Sequence, residues 1–336
     1  MTSTTTVSDP TSFTNQFITH LRGFSVGAIA ACCAVTITNP MEVVKTRLQL
    51  QGELEAKSGP TLHKRQYNGA ISAFIKISRT EGVKGIQKGL APAYLYQILM
   101  NGTRLGFYEP VRDIVIGGVD AIAGKGVGST GFGKAICMVS AGAGCGVLGA
   151  AIASPLYLVK TRMQSYSPNN AVGAQHSYVL GGLRKTLVHI YKNEGIAGLW
   201  RGADASMLRT GVGSAVQLST YDASKQILLK SHLFDNAANA NGGILLHFAA
   251  SAFTSLFVCI AMNPFDVVST RMYNQHRGER ALYDNAFDCI AKTIKAEGPF
   301  ALYKGFSAHY LRIGPHTILT FVFLEQVKKA ASVLLD

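Results

Sequence analysis

Three ten-residue stretches decide the fold. Pro40–Gln49 reads PMEVVKTRLQ, Pro155–Gln164 reads PLYLVKTRMQ and Pro264–Tyr273 reads PFDVVSTRMY. Each follows a span without Asp, Glu, Lys or Arg: between Arg22 and Glu42, between Lys134 and Lys160, and between Asp235 and Asp266. Downstream of the stretches come Glu81-Gly82, Glu194-Gly195 and Glu297-Gly298, and seven residues after each glycine stands another, Gly89, Gly202 or Gly305. Lys88, Arg201 and Lys304 precede that second glycine. LAPAYLYQ, ADASMLRT and FSAHYLRI follow it, with Leu95, Leu208 and Leu311 in register. Coincidences at fixed offsets mean a tandem triplication, with units of about 100 residues.

Composition sets the solvent of these units. Only 15% of the 336 residues are charged, against about 25% in an ordinary soluble domain. Each charge-free gap can hold the roughly 20 apolar residues that cross a bilayer as a helix. The chain therefore reads as an all-α membrane protein with two membrane helices per unit, six in total. Small residues four apart in the first helix of each unit (Gly27 and Ala31, Gly142 and Gly146, Ser251 and Ser255) allow close helix approach. The prolines of the three stretches are expected to kink those helices. Between the two helices of each unit, residues 68–80, 181–193 and 284–296 read as a short amphipathic helix along the membrane surface. The expected segmentation is a disordered tail over 1–16, repeats over 17–116, 133–235 and 244–336, and linkers over 117–132 and 236–243.

The net charge of +13 does not point to nucleic acid, because the basic residues recur beside apolar spans. That placement fits the positive-inside rule and contact with anionic lipid. The six cysteines form no CxxC and lie mostly inside apolar spans, so they read as reduced packing residues. No HExxH, GxSxG or Walker A sequence occurs, and no cofactor or metal is expected. Gly144-Cys145-Gly146-Val147-Leu148-Gly149 matches a dinucleotide fingerprint. It sits inside a charge-free span with no acid about 20 residues on, and is assigned to helix packing.

The triplicated stretches resemble the signature of the mitochondrial carrier family, Px[DE]xx[KR]x[KR] followed by an acidic-Gly pair and an aromatic-[KR]-Gly. Pro40, Glu42, Lys45 and Arg47 match its first part, whereas Gln87 replaces the aromatic residue in that repeat. The resemblance implies a six-helix barrel with threefold pseudosymmetry around a water-filled cavity, multi-pass in the mitochondrial inner membrane. It also implies that both termini face the intermembrane space, that the protein is a monomer, and that it contacts cardiolipin-like anionic lipid. AYLYQILMNGTRLGFYEPVR, RTGVGSAVQLSTYDASK and RIGPHTILTFVFLEQ resemble the family's oxaloacetate-carrying branch. The implied activity is transport of small dianions: oxaloacetate, other dicarboxylates and possible inorganic relatives such as sulfate. A dicarboxylate or keto-acid exchanger of other specificity, or an uncoupling-type anion or proton carrier, are the alternatives.

The resemblance also assigns gates. At the matrix end Glu42 is expected to pair with Lys160, and Asp266 with Lys45. The third pair is replaced at both positions, by Tyr157 and Ser269, which are expected to meet as hydrogen-bonding neighbours. Gln49 and Gln164 are expected to brace the pairs. At the cytoplasmic end a second ring is expected from Tyr108, Glu109 and Arg112, from Tyr221, Asp222 and Lys225, and from Glu325 and Lys328. Substrate is expected at the position held by Tyr96, Arg209 and Arg312. A mid-membrane arginine costs at least about 2.5 kcal/mol and so should face the cavity and a partner. Two guanidiniums on different helices suit two anionic groups. Gln97 and Thr210 are candidate further donors, Arg104 an anion-attracting group, and His316 either a packing residue or a proton-coupling one.

Overall fold

The computed structural model describes residues 10–54, 66–124, 126, 128, 130–168, 172–230, 240–275 and 281–335. Among the described residues are six long helices and three short ones, one short helix between the two long ones of each unit. The first helices of the units are α1 (Pro10–Leu50), α4 (Gly131–Ser165) and α7 (Ala240–Asn274), and the second are α3 (Leu90–Ala123), α6 (Ala203–Lys230) and α9 (Phe306–Leu335). The short helices α2 (Ala70–Ile86), α5 (Gly182–Leu199) and α8 (Ala286–Glu297) join them. Within each unit the order is therefore long, short, long. Neighbouring long helices pack in the cyclic order α1, α3, α4, α6, α7, α9 and back to α1, and α1, α4 and α7 also contact one another. The six form a closed ring.

The first helices do not stop at their prolines. Pro40, Pro155 and Pro264 lie inside α1, α4 and α7. The decisive stretches form the last three turns of those helices, side by side at one end of the ring. Parts of α1, α4 and α7 (residues 24–50, 133–165 and 249–274) are long and apolar enough to cross a membrane. Leu95, Leu208 and Leu311, in register on α3, α6 and α9, are exposed on the ring. So are Ile29, Ile37, Phe253, Phe257 and Phe321. Such an apolar outer surface suits lipid rather than water.

Each unit has its own apolar cluster fastening a short helix to a proline-bearing one. Val44 and Leu50 pack with Tyr67, Ala73 and Ile77; Leu158 and Val159 with Ile190; Val268 and Met272 with Tyr283 and Cys289. The glycines after the acids take φ +65° (Gly82), +70° (Gly195) and +84° (Gly298) with ψ near 180°, a conformation reserved for glycine. The turn lets the chain leave the surface helix and re-enter the ring. The dinucleotide-like glycines are packing residues. A Cβ on Gly146 would meet Ser214 of α6 at 2.9 Å, and one on Gly149 would meet Met100 of α3 at 2.7 Å. All six cysteines are free thiols.

The boundaries differ from the sequence expectation at the tail, at both ends of the first linker, whose residues 131–132 belong to α4, and in the second linker. Residues 10–16, expected as tail, form the start of α1, where Pro10 occupies the first helical position that tolerates proline. The first linker begins late, because α3 continues through Gly117 and Gly118 to Ala123. Residues 240–243 of the second linker belong to α7; residues 236–239, and 1–9 of the tail, lie outside the described residues.

Gly89 opens α3 at φ +75°, where a Cβ would sit 3.1 Å from the Lys160 carbonyl and 3.0 Å from Gln164 Cγ. Gly89→Ala is expected to destabilise the helical ring by at least about 1–2 kcal/mol, the cost of a left-handed Cβ. Gly106→Ala, on a helix face with nothing within 4 Å, should leave stability equal or raised. Thermal melting of the two purified variants checks both.

Candidate functional site

Helical spacing explains why acids and bases meet at the end of the ring. Positions three and six of each proline stretch are one turn apart and point inward, so neighbouring helices offer opposite charges. Glu42 Oε1 lies 2.6 Å from Lys160 Nζ, and Asp266 Oδ2 lies 2.7 Å from Lys45 Nζ, all with side chains at most 5% exposed. Gln49 donates from Nε2 to Asp266 at 2.6 Å and accepts from Thr270 at 2.8 Å, bracing that pair. Among the described residues Gln164 makes no side-chain hydrogen bond to the other pair. It accepts from Thr46 and donates to Asn39, at 3.1 and 3.2 Å.

Among the described residues no hydrogen bond joins Tyr157 to Ser269, where one was expected. The Ser269 hydroxyl is buried without a hydrogen bond. Tyr157 turns its ring into a stack, 5.3 Å from Tyr96 and 5.1 Å from Tyr273. The Arg209 guanidinium sits 4.9 Å from the Tyr157 ring centre, and Lys160 Nζ 5.5 Å from it. The attraction of two cations to the aromatic face explains this placement.

A second threefold set of ion pairs encloses the first, and the sequence reading assigned it no role. Arg47 pairs with Glu81 at 2.5 Å, Arg162 with Glu194 at 2.7 Å and Arg271 with Glu297 at 2.6 Å. Each arginine also donates from Nε to a carbonyl near the end of the neighbouring proline-bearing helix: Gln164, Tyr273 and Gln49, at 3.1, 3.0 and 3.5 Å. Lys88 joins Glu81 at 2.5 Å, and Lys304 joins Glu297. One arginine thus ties a surface helix and two long helices together. The signal was present as the arginine shared by all three stretches and the glutamate of every Glu-Gly pair.

Inside the ring, one layer beyond the pairs, lie Tyr96, Arg209 and Arg312. Arg312 Nε is 3.3 Å from Glu42 Oε1, and Arg209 Nη1 is 3.8 Å from Asp266 Oδ1. Arg209 Nη2 donates to the Tyr96 hydroxyl at 3.4 Å. Arg209 Nε and Asp266 Oδ1 have no hydrogen-bond partner among the described residues. His309, unnoticed in the sequence, is fully buried beside them, with Nδ1 3.0 Å from Asn263 Oδ1 and 3.9 Å from Asp266 Oδ2.

The remaining candidates divide. Thr210 is not a cavity donor: its hydroxyl bonds the Ser206 carbonyl at 2.8 Å, and its methyl faces Gly146 of α4. An adjacent position on a helix points about 100° away, which is why the neighbour of Arg209 lands between helices. His316 contacts Thr38 Oγ1 through Nδ1 and Gln97 Nε2 through Nε2, both at 3.3 Å. Thr38 already donates to the Ala34 carbonyl, so the network assigns the proton to Nδ1 and makes Gln97 the donor to Nε2. Arg104 lines an open cavity of about 350 Å³ with Gln97, Asn101, His316 and Thr320.

Of the second ring expected at the other end, the described residues show no interhelical ion pair. Among the described residues no ion pair joins Glu109, Lys225, Glu325 or Lys328 to another helix, and Arg112 pairs instead with its neighbour Asp113 at 3.0 Å. Tyr108 and Tyr221 are half-buried on α3 and α6. The Asp222 side chain lies outside the described residues. Glu109, Glu325 and Lys328 are exposed, where solvation competes with pairing. Among the described residues, interhelical ion pairs close the ring at the proline end.

The family model described as "Mitochondrial carrier protein" matches residues 17–118, 133–232 and 241–333. The chain belongs to the mitochondrial carrier family. This carrier is 46% identical to the mitochondrial oxaloacetate transport protein of Saccharomyces cerevisiae, over 94% of its own length and 91% of that protein. It is 48% identical to the Schizosaccharomyces pombe protein of the same name, over 91% and 90%. It is 46% identical to the mitochondrial citrate transporter E of Aspergillus niger, over 91% and 92%.

The Arg47–Glu81 pair gives the carrier a defined acid limb. Burial alone would raise the Glu81 carboxyl, but hydrogen bonds from Arg47, Lys88 and Ser167 outweigh it and hold the group down at about 2. Because the folded value lies below the unfolded one, the stabilisation is complete above about pH 4.5 and is lost as pH falls toward 2. Glu81→Gln is expected to lower stability at pH 7 by about 3–5 kcal/mol, since it strands Arg47. Melting curves from pH 7 to 3 should show the wild type losing stability on acidification and this variant changing less.

Proposed function

We propose that this carrier moves oxaloacetate and related small dianions across the mitochondrial inner membrane by alternating access. On this reading all six long helices span the bilayer as a monomeric, threefold pseudosymmetric barrel. Both termini face the intermembrane space, and anionic lipid such as cardiolipin borders the surface helices. The closed ring of Glu42–Lys160 and Lys45–Asp266 is the matrix gate. The residues expected to form the ring at the other end are the cytoplasmic gate, in its open position.

One observation carries the substrate class. Four cations, Lys45, Lys160, Arg209 and Arg312, cluster around two carboxylates, Glu42 and Asp266. Two positive charges are left for a ligand, and a dianion neutralises them. The relatives named for oxaloacetate and for citrate are about equally similar, so identity does not choose between them; the charge balance favours the dianion over a trianion.

The same geometry suggests how binding loosens the gate. Arg209 and Arg312 lean on Asp266 and Glu42, the acids that Lys45 and Lys160 hold. A dicarboxylate bound by both arginines replaces those contacts with shorter, forked ones. The gate acids then keep one cationic partner instead of two, and the third position of the ring contributes no ion pair. Binding energy realised as the ring opens is what drives transport. Substrate release toward the matrix lets the arginines recapture the acids.

Arg209→Ala and Arg312→Ala, each folded by melting curve, are expected to reduce saturable oxaloacetate uptake into liposomes by at least about tenfold, from loss of a charge-assisted bond. Wild-type uptake should saturate and be stimulated by preloaded counter-substrate. Uptake that neither saturates nor responds to counter-substrate would assign a leak instead. Restoring a charge pair with Tyr157→Asp and Ser269→Lys together should slow the wild-type rate, because the matrix gate would then hold three pairs. An unaltered rate would remove that gate from the mechanism.

A further inference from the structure

The cavity lined by Arg104 is not explained by the central site. Arg104 stands eight residues beyond Tyr96 on α3, about 12 Å along the axis at about 1.5 Å per residue. Side chains on parallel helices lean the same way, toward their N-termini, so Arg104 and Arg312 do not close this gap by leaning together. Oxaloacetate separates its carboxyl carbons by only three C–C bonds of about 1.5 Å each. One small dianion cannot hold Arg104 while it occupies Arg209 and Arg312.

Arg104 also breaks the repeat. The corresponding positions on α6 and α9 are Gln217 and Thr320, so barrel symmetry does not demand a cation here. Its side chain is exposed to the cavity, and no ion pair among the described residues involves it. An uncompensated charge between membrane helices is costly unless it faces water or a ligand. The surrounding polar groups are ordered for one purpose already: His316 accepts from Gln97 and donates to Thr38, and Thr320 bonds its own helix at the His316 carbonyl. Arg104 and the neighbouring Asn101 amide are the groups left to donate. The cavity volume of about 350 Å³ admits a small organic anion with its water.

We propose that Arg104, with Asn101, forms a second and outer anion site that captures a carboxylate-bearing substrate before it descends to Arg209 and Arg312. The proposal rests on the transport reading above, and it adds a staging step to it. The site binds one carboxylate with the guanidinium and leaves the other solvated. The substrate is then handed inward when the two deeper cations outcompete the single outer one. An outer charge of this kind raises the capture rate by a factor that salt screens away.

The test uses the full-length purified carrier in liposomes, with initial rates of labelled oxaloacetate uptake measured against concentration at low and high ionic strength. Arg104→Gln should raise KM about tenfold at low salt, within the range for electrostatic capture. Its maximal rate should stay within about twofold of the wild type, and most of the salt dependence should disappear. Arg104→Lys should restore the salt dependence. An unchanged KM and salt slope in Arg104→Gln would overturn the proposal, as would a fall in maximal rate at unchanged KM. The melting temperature of Arg104→Gln, at an exposed position, separates these outcomes from misfolding. Failure of the central site has a different signature: wild-type uptake by Arg209→Ala or Arg312→Ala, whatever Arg104→Gln does.

Discussion

The two carboxylates at the centre of the ring, Glu42 and Asp266, determine the rest of the structure. Each is almost fully buried and sits among cations, Lys160 and Arg312 for one, Lys45 and Arg209 for the other. A buried acid that lost its partners would cost several kcal/mol, so these helices must close on one another wherever the acids remain. The apolar outer surface and the closed helix order provide the walls. The charges provide the one place where the walls are required to meet. Around them, Arg47, Arg162 and Arg271 repeat a single device three times, fastening each surface helix to two long ones.

The inner ring departs from threefold symmetry where the outer set obeys it. Tyr157 and Ser269 stand where a third pair would, and the consequence is physical. The tyrosine ring becomes a platform for Arg209 and Lys160, and the serine is left without a partner. Two ion pairs whose acids are shared with two further arginines hold with a strength that depends on what those arginines bind. On the proposed mechanism that dependence is the coupling between substrate and conformation.

Much of this was legible in the sequence, because repetition exposed it. Three prolines with acids and bases at fixed offsets singled out the charged positions, and the family resemblance then paired Glu42 with Lys160 and Asp266 with Lys45 and made the layer of Tyr96, Arg209 and Arg312 the substrate position. What stayed hidden depended on side-chain direction. Thr210 follows Arg209 in sequence yet faces the α4 interface, and Gln164 matches Gln49 in register yet bonds Thr46 and Asn39. Pairwise position also cannot say which of two gates is closed, so the second ring was legible as a set of residues and not as contacts. His309 escaped because Ala93 and Ser206 hold its place in the other units, and a search for recurrence passes over the exception.

The most direct test of the coupling reads the gate itself. Ser269→Cys, in a background with the six native cysteines replaced by alanine, puts a thiol at the centre of the closed ring. Its alkylation by a membrane-impermeant reagent is followed with and without oxaloacetate, with acetate as the monoanion control. The account predicts that alkylation accelerates with oxaloacetate, saturates with its concentration, and ignores acetate. Alkylation that is indifferent to oxaloacetate, or slowed by it, would contradict a gate opened by the dianion.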